Sequence, residues 1–249
     1  MMKRVLCLAA VAVGLVGTAL AGPKINFTGM GLSGTSRISG TGILPAGSYG
    51  PISVHTGQMN FFYDANGNNN QELPTDVSFV GYCLTPNNVL QDPSDLANGS
   101  PFVWDTSDGT RNSTYGGTVN SAWDGVARLF HNEWATQGLN QNAAAAFQLA
   151  IWDLMSNPFS YGSLGGGLNS GSVASYYSHF MSVAADPLKA GKMVLFKPLN
   201  FSSQSQMIGT HLGGGGGGFT PVPEPFTMGL GLAAAGAFVR RRVKAKKSA

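Results

Sequence analysis

Cys83 and Gln148 are the side chains in this sequence whose types and placement raise a chemical question. Cys83 lies near the end of the stretch VSFVGYCL, where Val77, Phe79, Gly81 and Cys83 alternate with Ser78, Val80, Tyr82 and Leu84. That period is that of a strand, with Cys83 at its end on the Phe79 face. The one other cysteine, Cys7, falls in a leader segment, so the mature chain has no internal partner for a disulfide. A leftover cysteine in an exported protein implies a free thiol, a bridge to another molecule, or some other covalent use. Gln148 lies in AAAAFQLAIWDL, where Phe147, Ala150, Ile151 and Leu154 recur at the spacing of one helical face. At about 100° per residue, Gln148 falls between that face and Trp152, so its amide is expected to point into the core or its edge. A buried carboxamide without partners costs on the order of 1–3 kcal/mol, so whatever meets it matters.

The elements that must position these residues follow from pattern. From Gly22 to about Gly50 the chain is rich in Gly, Ser and Thr with sparse apolar residues, which predicts short strands joined by turns. Val54 to Tyr63 and Asp76 to Leu84 read as a hairpin around the polar loop DANGNNNQELPT. Asp64, Asn66 and Asn68 have the first spacings of a calcium loop, but Asn69 replaces its glycine and Thr75 its closing glutamate, so a plain Asn-rich turn is expected. Val89 to Asn120 is polar and turn-rich, with Trp104 and Tyr115 as anchors and Asp105 and Asp108 as turn residues. Ser121-Ala122-Trp123-Asp124 has the form of a capping box, and Val126, Leu129, Phe130 and Trp134 follow at helical spacing, predicting a helix from about Ala122 to Gln137. Asn142 is the expected N-cap of the Gln148 helix, and the short GLNQN connection predicts an antiparallel helical pair. A Gly-rich loop, Gly162 to Gly171, then precedes a third helix carrying Val173, Tyr176, Tyr177 and Phe180, and Lys192 to Leu199 reads as a strand. The fold class expected is α+β, a mostly β sandwich or barrel-like body with a two- to three-helix insertion.

Both ends of the chain read as addresses. Residues 1–21 have a basic start in Lys3 and Arg4, an apolar run from Val5 to Val16, and Ala19-Leu20-Ala21, an A-x-A-like site with cleavage between Ala21 and Gly22. The exported globular domain spans 22–212, and the glycine run within 213–222 is a flexible linker, since it lacks the Lys-Ser/Thr pair of a phosphate loop. Residues 223–249 are tripartite: Pro223-Glu224-Pro225, an apolar stretch from Phe226 to Val239, then Arg240, Arg241 and Arg242. The apolar stretch is shorter than the roughly 20 residues of a stable span, and the basic cluster would hold its end at the cytoplasmic side, which suits a transient membrane anchor. This tail resembles the PEP-CTERM sorting signal in every part. The resemblance implies a bacterial envelope protein cut by signal peptidase and then by exosortase, a membrane cysteine protease-transpeptidase, near the Pro-Glu-Pro motif. It also implies an association with exopolysaccharide and biofilm.

Tyr82-Cys83-Leu84, together with Gln148-Leu149-Ala150-Ile151-Trp152 on a helix, resembles the thioester domain of bacterial surface proteins. Thr85 stands where that family commonly has Asp or Glu. The resemblance implies a bond from the Cys83 sulfur to the Gln148 side-chain carbonyl, made with loss of ammonia, inside a pocket to which Tyr82, Ile151 and Trp152 would belong. An apolar wall would keep water from such an acyl group until an amine or hydroxyl nucleophile enters, making the bond a covalent harpoon. The bland alternative is that Cys83 is a small buried hydrophobe and Gln148 bonds nearby backbone.

Composition narrows the remaining classes. Leader and tail together hold eight of the fifteen Lys and Arg residues, so the exported body keeps seven against eleven acidic ones, Glu224 being set aside with the tail. A mildly acidic body with no basic patch does not suit nucleic acid. No His/Cys cluster suggests a metal, and no cofactor motif occurs. An enzyme would pair Cys83 with His131 or His179, oriented by Asp124 or Asp153, but solvated helical histidines are the commoner case. The expectation is a non-enzymatic cell-surface or biofilm-matrix protein, a covalent adhesin through Cys83 and Gln148. Its partner would be an extracellular polysaccharide or a surface protein. The alternative is an inert structural or glycan-binding matrix component, which rows of exposed aromatics among Trp104, Tyr115 and Tyr161 would favour.

Overall fold

The computed structural model describes residues 24–43, 46–64, 77–85, 101–107, 120–196 and 208–212, all within one compact unit, Met1–Phe219. The segments read from sequence as leader, glycine linker and sorting tail lie outside the described residues, as do the polar loop after Asp64 and Tyr115. The described strands are β1 (Lys24–Ile43), β2 (Ala46–Asp64), β3 (Val77–Cys83), β4 (Pro101–Asp105), β5 (Ser156–Gly165), β6 (Lys192–Phe196) and β7 (Ile208–Thr210). The helices are α1 (Asn120–Asn132), α2 (Trp134–Gln137), α3 (Gln141–Leu154) and α4 (Ser170–Ala185). The strands form one sheet in the order β4-β6-β7-β3-β2-β1-β5, and every neighbouring pair is antiparallel. The fold is therefore α+β and mostly β, as the sequence pattern predicts.

The expected hairpin of β2 and β3 forms in the register that sets Phe61 opposite Phe79 and Met59 opposite Gly81. Phe79 stacks on Phe61 at 5.4 Å on one side and on Phe196 of β6 at 4.9 Å on the other, so one aromatic row crosses the sheet from β2 to β6. The region read as short strands is instead a pair of long ones: β1 and β2 run from Lys24 to Asp64 in one ladder, bent where the register shifts at Phe27/Gly29, Met30/Ser33 and Ile38/Gly40. Bulges let one strand serve as several and hide its length from a reading based on alternation. At one bend Gly57 sits at φ 139°, and a Cβ there would come within 2.3 Å of the Leu32 carbonyl oxygen, so only glycine fits.

The helix α3 lies between the sheet and the other helices, packing on β1, β2 and β5 and also on α1, α2 and α4. Every residue from Ala143 to Trp152 is buried, while Leu154 is only half-buried. This corrects the one-sided face drawn from periodicity: a helix apolar all round is one enclosed all round. The run of alanines lets its neighbours approach closely, and Phe147 meets Tyr82 of β3, Phe130 of α1 and Phe180 of α4 at ring separations of 4.8, 5.3 and 5.3 Å.

Local signals were displaced more than they were wrong. Asn140, not Asn142, caps α3, its side chain accepting from the Ala143 N–H at 3.0 Å, while Asn142 accepts from the Asn169 N–H. The helix expected to run from Ala122 to Gln137 begins at Asn120, so Ser121 lies inside it and not ahead of it, and it breaks at Glu133, whose ψ of 13° is not helical. Part of the predicted loop from Gly162 is the edge strand β5, whose Pro158 suits an edge, and the turn that follows uses Gly166 and Gly167 at φ 68° and 85°. The third helix forms as expected, capped by Asn169 and ending before Asp186.

Candidate functional site

β3 delivers Cys83 at its last position, opposite Ile208 of β7, and α3 delivers Gln148 from its buried middle. The fold brings these residues, 65 apart in sequence, into direct contact. The Cys83 backbone N–H donates to Gln148 Oε1 at 3.1 Å, and Gln148 Nε2 donates to the Cys83 carbonyl oxygen at 2.7 Å. Gln148 is 1 % exposed and Cys83 4 %, so this two-bond clasp is sealed from solvent. The partner of the inward-facing amide is thus the cysteine residue itself, through its backbone.

The sulfur has a separate environment. The Cys83 thiol donates to the Thr85 carbonyl oxygen at 3.4 Å, and the Thr85 hydroxyl lies 3.9 Å away. Burial pushes the thiol up to about 11, against smaller opposing contributions from Thr85 and from the Trp152 side chain beside it. Trp152 follows Gln148 by one helical turn, on the same side of α3. Its indole is 4 % exposed, and its Nε1 lies against the Cys83 sulfur without completing a full hydrogen bond. Ile151 is fully buried in the same turn.

Tyr82, also fully buried, faces a different set of groups. Its ring packs against Phe147, Phe130 and Trp134, and its hydroxyl donates to Gln137 Oε1. Gln58 Nε2 donates to that same oxygen at 2.8 Å, and Gln137 Nε2 donates to the Trp134 carbonyl oxygen. Burial raises the Tyr82 phenol well above its usual range, so it stays a neutral donor. Gln58 and Gln137 went unnoticed in the sequence because one sits in a strand of polar neighbours and the other at a helix end, both ordinary places for an exposed amide. Thr85, which stands where the thioester resemblance expects an acid, instead takes the thiol's hydrogen bond on its carbonyl oxygen as the strand end bends back.

The nucleophile and base of an enzymatic arrangement are not brought together. His179 pairs with Glu133 at 3.0 Å, and His131 is exposed on α1. Asp124 accepts from Trp104 Nε1 at 3.1 Å, and Asp153 accepts from the Tyr177 hydroxyl. Of the described aromatic residues considered for a glycan platform, Trp104 is 1 % exposed and packs on Trp123, while the half-buried Tyr161 ring packs on Tyr177. Among the described residues no helix is long and apolar enough to cross a membrane. No protein-family model matches the chain, and neither the curated proteins nor the solved structures provide a match.

Proposed function

We propose that this chain is an exported, exosortase-processed cell-surface or biofilm-matrix protein that attaches covalently through a Cys83–Gln148 thioester. The observation that carries the reading is the seating of the Gln148 carboxamide on Cys83, buried on all sides. The leader and the tripartite tail support export and sorting. In the bond-forming step the Cys83 sulfur attacks Gln148 Cδ. The C–N bond breaks, the thiol proton passes to the departing nitrogen, and ammonia leaves. The Cys83 N–H already donates to Gln148 Oε1, where negative charge would develop in the tetrahedral intermediate, so the backbone supplies the oxyanion donor. Burial then protects the acyl group from water. An amine on a partner polysaccharide or surface protein would attack the same carbon, form an amide to Gln148 and return the proton to the sulfur.

A second reading has its own support, since the backbone of Cys83 satisfies both ends of the carboxamide without any covalent chemistry. The pair would then be a structural clasp in a matrix component. Intact mass of the mature protein, with and without methylamine, separates the two. The thioester requires a mass lighter by one ammonia that rises by one methylamine on treatment, with both changes abolished in Cys83→Ala and Gln148→Ala. An unmodified mass in freshly folded protein, with Cys83 alkylated only after denaturation, leaves the clasp.

A further inference from the structure

The buried Trp152 indole poses a question that the thioester reading leaves open. An N–H sealed from water without an acceptor is costly, and native proteins rarely retain one without a use. Among the described residues four buried side-chain polar atoms lack partners: Thr56 Oγ1, Trp123 Nε1, Arg128 Nε and Trp152 Nε1. Trp152 alone among these residues is one helical turn from Gln148 and beside the Cys83 sulfur.

That sulfur must at one stage carry charge. When an amine adds to Gln148 Cδ, the tetrahedral intermediate collapses by breaking the C–S bond, and the electron pair leaves on Cys83 Sγ. The departing thiolate then takes the proton that the amine gives up, so atoms and charge balance with no further reactant. In this pocket the resting thiol titrates near 11, so an unaided thiolate would be a poor leaving group. The Thr85 carbonyl oxygen, 3.4 Å from the sulfur, is an acceptor and repels an anion. The leaving sulfur needs an N–H donor.

We propose that the Trp152 indole N–H is the donor that holds the Cys83 sulfur as the Gln148 acyl group leaves it, making Trp152 a catalytic residue of thioester opening. This rests on the Cys83–Gln148 thioester. In the resting protein this N–H meets only the neutral Cys83 sulfur and completes no full hydrogen bond, so it is set for the stronger acceptor that exists during opening.

The test uses the full chain in three forms: wild type, Trp152→Phe, and benzothienylalanine at position 152, which keeps the bicyclic shape and removes only the N–H. Loss of ammonia measured by intact mass reports whether the thioester is present, and the rate of methylamine uptake reports its opening. Removing the N–H is expected to leave the ammonia loss in place and to slow methylamine uptake by about tenfold or more, since a hydrogen bond to a charged group is lost. Wild-type uptake by the isosteric variant overturns the proposal even where Trp152→Phe is slow, because the slow rate then reflects lost packing. If wild type shows no ammonia loss, the thioester reading itself has failed. The donor role is then decided by titrating the Cys83 thiol in a Gln148→Ala background. There the isosteric replacement is expected to raise the midpoint by about one pH unit, and an unchanged midpoint overturns the assignment.

Discussion

Gln148 makes two bonds that suit a carboxamide, because one end of it accepts from an N–H while the other donates to the carbonyl of the same residue. Its contribution to stability can be separated from any covalent role by comparing two variants that both lack a thioester. Cys83→Ala keeps both backbone bonds to the carboxamide, whereas Gln148→Ala leaves the Cys83 N–H and C=O unmet by that side chain. Gln148→Ala is expected to be less stable than Cys83→Ala by about 1–3 kcal/mol in urea unfolding; equal midpoints would show that water or backbone takes over both bonds. The thiol makes a second prediction at this scale. Wherever Cys83 is free, its high titration point, set by burial, makes it a poor nucleophile near neutral pH. Alkylation of folded Gln148→Ala is expected to be slow at pH 7 and to accelerate up to about pH 11. Fast alkylation at neutral pH would mean that the site opens to solvent.

At the scale of elements, the sequence was most legible where a strand or helix carries one repeating pattern. The β2–β3 hairpin and α4 are cases of this, with apolar residues at regular intervals and a clear break afterwards. It was least legible where tertiary partners replaced a missing pattern. The edge strand β5 pairs with β1 although Ser, Asn, Pro and Gly make up most of its sequence, and it is held by the ladder and by the Tyr49–Ser156 hydrogen bond of 2.8 Å. Asp105, read as a turn residue, shows both behaviours: it accepts from the Ser107 N–H in a local turn and also pairs across the β4–β6 ladder with Lys192 at 2.8 Å. The Lys192 ammonium, with Ser107, holds its carboxyl down at about 2. Because the folded value lies below the unfolded one, near 3.9, the stabilisation is present above that pH and is lost as pH falls toward about 2. Lys192 is 42 % exposed, so solvent screening keeps the effect small. Asp105→Asn is expected to lower stability by less than about 1 kcal/mol at pH 7 and to converge with wild type below pH 2. A constant difference across that range would assign the loss to the turn rather than to the charge.

Over the whole molecule, the candidate site depends on one helix being enclosed by both layers. The motif residues Cys83, Gln148, Ile151 and Trp152 were legible in the sequence, since their types are distinctive and their spacings follow strand and helix periods. The amides around Tyr82 were not, because Gln58 and Gln137 become its neighbours only through β2, β3 and α2 meeting in space. Phe147 is where those layers meet. Its ring contacts β3, α1 and α4 at once, and it directly precedes Gln148 on α3. Removing it leaves a cavity bounded by Tyr82, Phe130 and Phe180, and a close-packed interior relaxes only partly into such a space. Phe147→Ala is expected to cost about 3–5 kcal/mol in urea unfolding. The loss should also loosen α3 against β3, so that Gln148 is held less firmly over Cys83; under the proposed thioester function a smaller fraction of folded protein then takes up methylamine. Phe147→Leu, which fills much of the volume, is expected to recover most of both quantities. A variant that loses stability while keeping full methylamine uptake would show that the clasp between Cys83 and Gln148 positions the site without help from the aromatic core.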